Sequence, residues 1–204
     1  MRLLLVRHGL TDWNATGRAQ GHSDIALGPE GREMARALAA RWADVRLDAA
    51  YASDLCRARE TAEILVGDRG LAIEQSPALR EIALGAWEGL RGEEILRDHP
   101  AEREAWVRTP ASARPPGGES MTELQQRVAA HIDALAERHA GAHVLVVSHG
   151  YAILSYVCHV LGLPLDRFRS LWIDPTGVTE IRFDGARRSL RRLNDTSHLE
   201  PTRG

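Results

Sequence analysis

The chain predicts an α/β fold, a three-layer α/β/α sandwich around a mostly parallel central sheet with a small helical lid. Three observations carry this. Met1-Arg2-Leu3-Leu4-Leu5-Val6 is a short apolar run that breaks at Arg7-His8-Gly9. His143-Val144-Leu145-Val146-Val147 is a second such run, and it breaks at Ser148-His149-Gly150. Unalternated runs of branched residues are the pattern of strands buried on both faces, as in a parallel sheet. Helix-patterned segments lie between them, so the strands are joined by crossovers. At 204 residues the chain is long enough to bury a proper core, and it reads as one domain, 1–204, with a lid at roughly 88–118.

After the first strand, Gly9 lets the backbone turn sharply behind Arg7 and His8. Leu10 to Ala26 is polar and aperiodic and is expected to be a loop. Gly28-Pro29 opens a helix with proline at its first position. Its buried face is Met34, Ala35, Leu38, Ala39 and Trp42 at helical spacing. Asp48 to Ser53 is a weaker strand, and the helix after it carries Arg57 in its first turn, with Ser53 or Asp54 as the expected N-cap. Leu71 to Glu74 is a short third strand. Arg91 to Pro116 is rich in Arg, Glu and Pro and makes the helical lid.

Ser120-x-x-Glu123 is a capping box opening a long helix to His139. Leu124, Val128, Ile132 and Leu135 form its stripe with His131, which reads as a packed or half-exposed member of it and not as a ligand. Tyr151 to Leu161 is an apolar helix stopped by Gly162 and Pro164. Gly177 to Phe183 and Arg187 to Leu193 alternate around Asp184-Gly185, a hairpin that finishes the sheet.

Composition excludes several functions. A net charge of -2 leaves no electrostatic footprint for nucleic acid or a membrane surface. All 26 basic residues are arginine, which rules out lysine nucleophiles and Schiff bases. Two cysteines, Cys56 and Cys158, make no disulfide framework and read as buried thiols. The first apolar stretch is too short for a signal peptide, and no run approaches the ~18 residues of a membrane span. A soluble, cytoplasmic protein is expected. Nine histidines are present without the close pairing of a zinc site, so no metal and no cofactor is expected.

In open α/β sheets, ligands bind outside the carboxyl ends of the strands. If the strands are parallel, His8, His149 and Arg57 converge on one edge, and Arg57 adds the anion preference of a helix N-terminus. A neutral imidazole among guanidiniums, beside a second histidine, is a place for phosphate. Arg59 faces away on the helix and reads as structural.

These residues carry a resemblance. Arg7-His8-Gly9-Leu10-Thr11, Arg57-Ala58-x-x-Thr61-Ala62 and Ser148-His149-Gly150 resemble the histidine phosphatase superfamily, and more narrowly its phosphoglycerate-mutase-like branch. Asp12-Trp13-Asn14, Gln20-Gly21-His22-Ser23-Asp24, Leu79-Arg80-Glu81-Ile82, Gly85-x-Trp87-Glu88-Gly89, Pro116-Gly117-Gly118-Glu119-Ser120 and Ser197-His198-Leu199-Glu200 agree in order along the chain. Leu10 departs from the commoner Glu of the family, outside the chemistry. The resemblance implies a phosphohydrolase in which His8 attacks phosphorus and forms a phosphohistidine. His8 must then be neutral, its other nitrogen donating to a fixed acceptor such as a backbone carbonyl. Arg7 and Arg57 match the transferring oxygens with planar forks, and His149 adds a further, charged donor. Glu81, a surface carboxylate if read alone, matches the family's proton donor. Asn14, Gln20, Gly21, His22 and Gly150 are expected to border the substrate, and Trp13, Trp87, Trp106 and Tyr151 are candidates for its wall.

Mutases of this family resemble one another in a longer segment after the acid, where paired arginines and a lysine grip phosphoglycerate. Here Glu81 to Ser120 is short and lacks lysine. It looks like the broad-specificity and α-ribazole phosphatases, so the expected partner is a small phosphorylated substrate or inorganic phosphate. A mutase is the alternative, and a non-catalytic phosphate-binding domain a more distant one. A family-typical homodimer is compatible with the sequence, and no uncovered apolar stripe demands it.

Overall fold

The computed structural model describes residues 1–200. Six strands, β1 (Arg2–Arg7), β2 (Ala49–Ala52), β3 (Ile73–Gln75), β4 (His143–Ser148), β5 (Val178–Asp184) and β6 (Arg187–Asp195), form one sheet in the order β3-β2-β4-β1-β5-β6. The first four strands of that order run parallel, and the closing hairpin joins β1 antiparallel. The helices are α1 (Asp12–Ala15), α2 (Pro29–Arg41), α3 (Cys56–Val66), α4 (Gly92–Asp98), α5 (Pro100–Arg108), α6 (Met121–Arg138) and α7 (Gly150–Leu161).

The unbroken apolar runs of β1 and β4 have a direct structural reason. Alternate side chains point to opposite faces of a strand, and here both faces are dry. Leu3, Leu5, Val144 and Val146 join one core with α6 and α7 residues such as Leu124, Ile132 and Tyr156. Leu4, Val6, Leu145 and Val147 join the other with Leu38 of α2 and Ala58, Ala62 and Leu65 of α3. Truncating a central member such as Leu5 to Ala would cost about 2–5 kcal/mol, because the packed layers collapse only partly into the hole. The segment 88–118 carries α4 and α5, and their buried Ile95 and Trp106 belong to the α6–α7 core.

Several local expectations are corrected. The stretch after β1 is not all loop: Thr11 and Asn14 close a capping box around the single turn α1. So short a helix shows no apolar stripe. Neither Ser53 nor Asp54 caps α3. Its N-cap is Leu55, and Asp24, remote in sequence, accepts from the Cys56 N–H at 2.6 Å. Asp54 pairs instead with Arg80. The third strand is Ile73–Gln75, set by its pairing with β2. In the hairpin Asp184 pairs with Arg187, so the tight loop is Gly185-Ala186, with Gly185 at φ 55°. Cys158 is buried as expected, while Cys56 is only half-buried, and burial together with Asp24 raises its thiol to about 11. His131 is half-buried, edge-on to Tyr51. Among the described residues, no helix is long and apolar enough to cross a membrane.

Candidate active site

The register of the sheet builds the site. Arg7, last of β1, lies opposite Ser148, last of β4. The next residue of each strand is a histidine, so His8 and His149 leave the sheet side by side, ring centroids 5.0 Å apart. Both are buried. His8 Nδ1–H donates to the carbonyl of Gly9 at 2.7 Å, which leaves the lone pair on Nε2, where Arg57 Nε donates at 3.3 Å. Burial, then the positive charges of Arg57 and Arg7, hold the His8 imidazole well below the ordinary histidine range. The ring is therefore neutral, and the backbone carbonyl, by holding Nδ1–H, leaves Nε2 as the nitrogen with the lone pair, as a nucleophile requires. Gly9 is glycine because the chain passes so close to α2 that a Cβ would stand 2.5 Å from the Gly31 carbonyl.

Arg57 is fully buried and held in direction by the carbonyls of Ser23 (2.7 Å) and Gly21 (2.8 Å). Arg7 Nη1 donates to the Ile173 carbonyl at 2.7 Å, and its Nε has no partner among the described residues. The Glu81 carboxylate accepts from the N–H groups of Ile82, Tyr151 and Ala152 at 3.0 to 3.1 Å. The last two belong to the first turn of α7, whose unpaired N–H groups fix the direction of the carboxyl group. His149 differs from expectation. Burial, then Arg57 and the neighbouring His8, hold it well below the ordinary range, so its ring is neutral rather than charged.

Arg7, His8, Arg57 and Glu81 open on a cavity of about 410 Å³, while His149, fully buried beside His8, does not line it. Asn14, Gln20, Gly21 and Gly150 also line the cavity. His22 does not line it. Its ring N–H donates to the Glu81 carbonyl at 2.9 Å and its backbone N–H to Glu88, so it supports the Glu81 loop from behind. Trp87, Trp106 and Tyr151 do form wall, whereas Trp13 packs against Gly89. Among the described residues, Arg7 Nε, Gln20 Oε1, Trp87 Nε1 and both His149 nitrogens are buried without partners. Unsatisfied polar atoms are few in native proteins, and five gathered at one site call for a polar ligand. Among the described residues, no group of three or more His, Cys, Asp or Glu is placed to hold a metal ion.

Sequence reasoning missed two contributors. Arg127 of α6 donates to the carbonyls of Ala78, Arg80 and Glu81 and is paired with Glu119, so it shapes the loop that presents Glu81. Nothing in the sequence marks it among 26 arginines. Trp172 stands at the cavity mouth, its indole N–H donating to Asp174 at 2.7 Å, with 69% of its surface exposed. An exposed tryptophan in an irregular stretch gives no periodic signal.

The family model of the histidine phosphatase superfamily (branch 1) matches residues 3–196. This chain belongs to that superfamily. It is 32% identical over 199 residues to phosphoserine phosphatase 1 of Hydrogenobacter thermophilus, covering 98% of this chain and 94% of the relative. It is 34% identical over 207 residues to a protein of Erwinia tasmaniensis named "Probable phosphoglycerate mutase GpmB", covering 99% and 96%. Among solved structures, Bacillus stearothermophilus YhfR superposes with a TM-score of 0.93 at 38% identity, over 98% of this chain and 99% of that one. The α-ribazole phosphatase of Shigella flexneri does so with 0.89 at 30% identity, over 96% and 97%. The six-stranded sheet flanked by helices is thus the histidine phosphatase fold.

Proposed function

We propose that this histidine phosphatase hydrolyses small phosphorylated metabolites in two steps, with His8 as nucleophile and Glu81 as proton carrier. The observation that carries the reading is the His8 Nδ1–H bond to the Gly9 carbonyl, which commits Nε2 to attack. In the first step Nε2 forms a bond to phosphorus, the ester P–O bond breaks, and the carboxyl proton of Glu81 passes to the departing oxygen. In the second, Glu81 takes a proton from water, the water oxygen bonds to phosphorus, and the N–P bond breaks to give inorganic phosphate. Arg7 and Arg57 hold the equatorial oxygens with charge-assisted hydrogen bonds, and a neutral His149 still offers them one ring N–H. Asn14, Gln20, Gly21 and Gly150 border the ester, and α4 and α5 within 88–118 act as the lid on one domain.

Phosphate release from a panel of phosphoglycerates, phosphoserine, sugar phosphates, nucleotides, α-ribazole phosphate and an aryl phosphate tests this, with His8→Ala beside the wild type. Release lost in the variant, with an acid-labile phosphohistidine trapped on the wild type, supports it. Appreciable turnover by His8→Ala would sink the covalent route. The likeness to the Erwinia protein keeps a second reading, in which the phosphohistidine passes its phosphate to a substrate hydroxyl instead of water. A coupled mutase assay exceeding phosphate release would select it.

A further inference from the structure

Residues 172–177 form a tight loop between a 3₁₀ turn, Leu165–Ser170, and β5. Its backbone holds the end of β1 at several points. Ile173 O accepts from the Arg7 guanidinium at 2.7 Å. The Thr176 N–H is shared between the carbonyls of Arg7 (3.0 Å) and His8 (3.3 Å), and Gly177 O accepts from the Arg7 N–H at 3.3 Å. The direction of one guanidinium and the placement of the imidazole beside it therefore depend on where this loop sits.

The loop does not rest in a relaxed conformation. Thr176 has φ 57°, and the facing Asn194 has φ 54°; among the described residues they are the only non-glycines with positive φ. A β-branched residue in that region is a genuine outlier, and such backbone persists only where its surroundings over-determine it. What over-determines it comes from the last strand and the turn after it. Asn194 clamps Asp174 twice, accepting from its N–H at 2.8 Å and donating from Nδ2 to its carboxylate at 2.7 Å. His198 Nε2 and Thr176 Oγ1 share a hydrogen bond of 2.8 Å. Gly177 runs so close to Asn194 that a Cβ there would collide with the Asn194 amide oxygen.

We propose that Asn194 and His198 are positioning residues of the phosphoryl site, acting through the 172–177 loop on Arg7 and His8. The proposal rests on the reading of the site given above. Neither residue lines the cavity, so any effect on turnover has to pass through the loop. Two hydrogen bonds separate His198 from the carbonyls of Arg7 and His8, with Thr176 as the link.

The test uses His198→Ala, His198→Gln and Asn194→Gly, the last keeping left-handed backbone accessible while deleting the amide. For each, kcat and KM on an aryl phosphate, the Kd for inorganic phosphate by calorimetry, and the melting temperature are measured. Because a displacement of ~1 Å at a reacting group costs up to about 10²-fold in rate, His198→Ala and Asn194→Gly should lose at least about tenfold in kcat. KM should change less than kcat, and phosphate binding should weaken about threefold or more. His198→Gln, which keeps a polar nitrogen near the Nε2 position, should recover most of the loss. Variants that melt earlier yet keep wild-type kcat when assayed well below their melting point would overturn the proposal, since the clamp would then serve only the fold. If Asn194→Gly does not fold, the two His198 variants decide by the same criteria. Should the wild type release phosphate from no ester, the phosphatase reading fails on its own, and the phosphate Kd still decides: unweakened binding in His198→Ala refutes the clamp.

Discussion

Thr61→Val isolates the part of the site that fixes His8, the proposed nucleophile. Thr61 is fully buried on α3, and its hydroxyl accepts from the Gly9 N–H at 3.1 Å and donates to the Arg57 carbonyl at 2.7 Å. Valine has nearly the same shape, so no cavity forms. What changes is the Gly9 N–H, left buried without a partner at a cost of about 1–3 kcal/mol. For a chain of this size each kcal/mol lowers Tm by roughly 2–4 °C, giving a drop of about 2–12 °C. Turnover should fall as well, because the carbonyl that orients the His8 ring belongs to the same glycine. Movement of that residue toward a new partner swings Nε2 away from the line of attack, and a shift of ~1 Å costs up to about 10²-fold. Circular-dichroism melts and single-turnover phosphate release measure the two effects, with Thr61→Ser as the control that keeps the hydroxyl. If Thr61→Val matches the wild type in both, the hydroxyl is not what holds Gly9 and the reasoning fails.

Acidification should destabilise the fold in a defined window. His8 and His149 are held neutral well below the ordinary 6.5, so the unfolded chain binds more protons below that pH. Their contribution is present above it and is lost as pH falls from there toward the depressed folded values. Urea midpoints should drop between about pH 7 and about pH 5 and drop less in His149→Asn; an equal drop would assign the effect elsewhere. Arg127→Met should free the carbonyls of Ala78, Arg80 and Glu81 and strand Glu119, lowering kcat more than tenfold and stability by about 1.5–3 kcal/mol. Wild-type kinetics from that variant would remove Arg127 from the account of the Glu81 loop. Trp172→Ala should leave stability within about 0.5 kcal/mol, since the ring is mostly exposed, and raise KM for aryl phosphates with little change in kcat. An unchanged KM would mean that the leaving group never reaches the mouth.

Much of this was legible in the sequence because it follows from local pattern. The runs ending at Arg7 and Ser148 announce buried strands, and a parallel sheet brings their carboxyl ends together, so the sequence alone places His8, His149 and Arg57 on one edge. The capping box at Ser120 and the alternation around Gly185 fixed α6 and the hairpin for equally local reasons. What stayed hidden depends on groups far apart in the chain. Asp24 caps α3 across 32 positions, and His22 turns from the cavity to support Glu81, a choice that only the packed loop makes. The neutral state of His149 follows from burial beside Arg57, which a motif does not specify. Arg127 is invisible for a compositional reason, since an arginine on a helix surface is the ordinary event in a chain whose every cation is arginine.

The in-register pairing of β1 with β4 reaches beyond this one molecule. Hydrogen-bonded strands are spaced at about 4.7–4.9 Å, and the two imidazole centroids stand 5.0 Å apart, one step of that ruler. The spacing of the two residues that carry these rings is thus set by backbone hydrogen bonds, while the direction of each ring is left to the groups that hold it, the Gly9 carbonyl in the case of His8. The walls around the leaving group are built differently, from α4, α5 and the residues near Trp172, none of which carries a strand of the sheet. Mutation of α4 and α5 can therefore retune what the enzyme accepts while the strand spacing beneath the two histidines stays unaltered, so a lineage built on this sheet can change its diet without relearning how to break a phosphate ester.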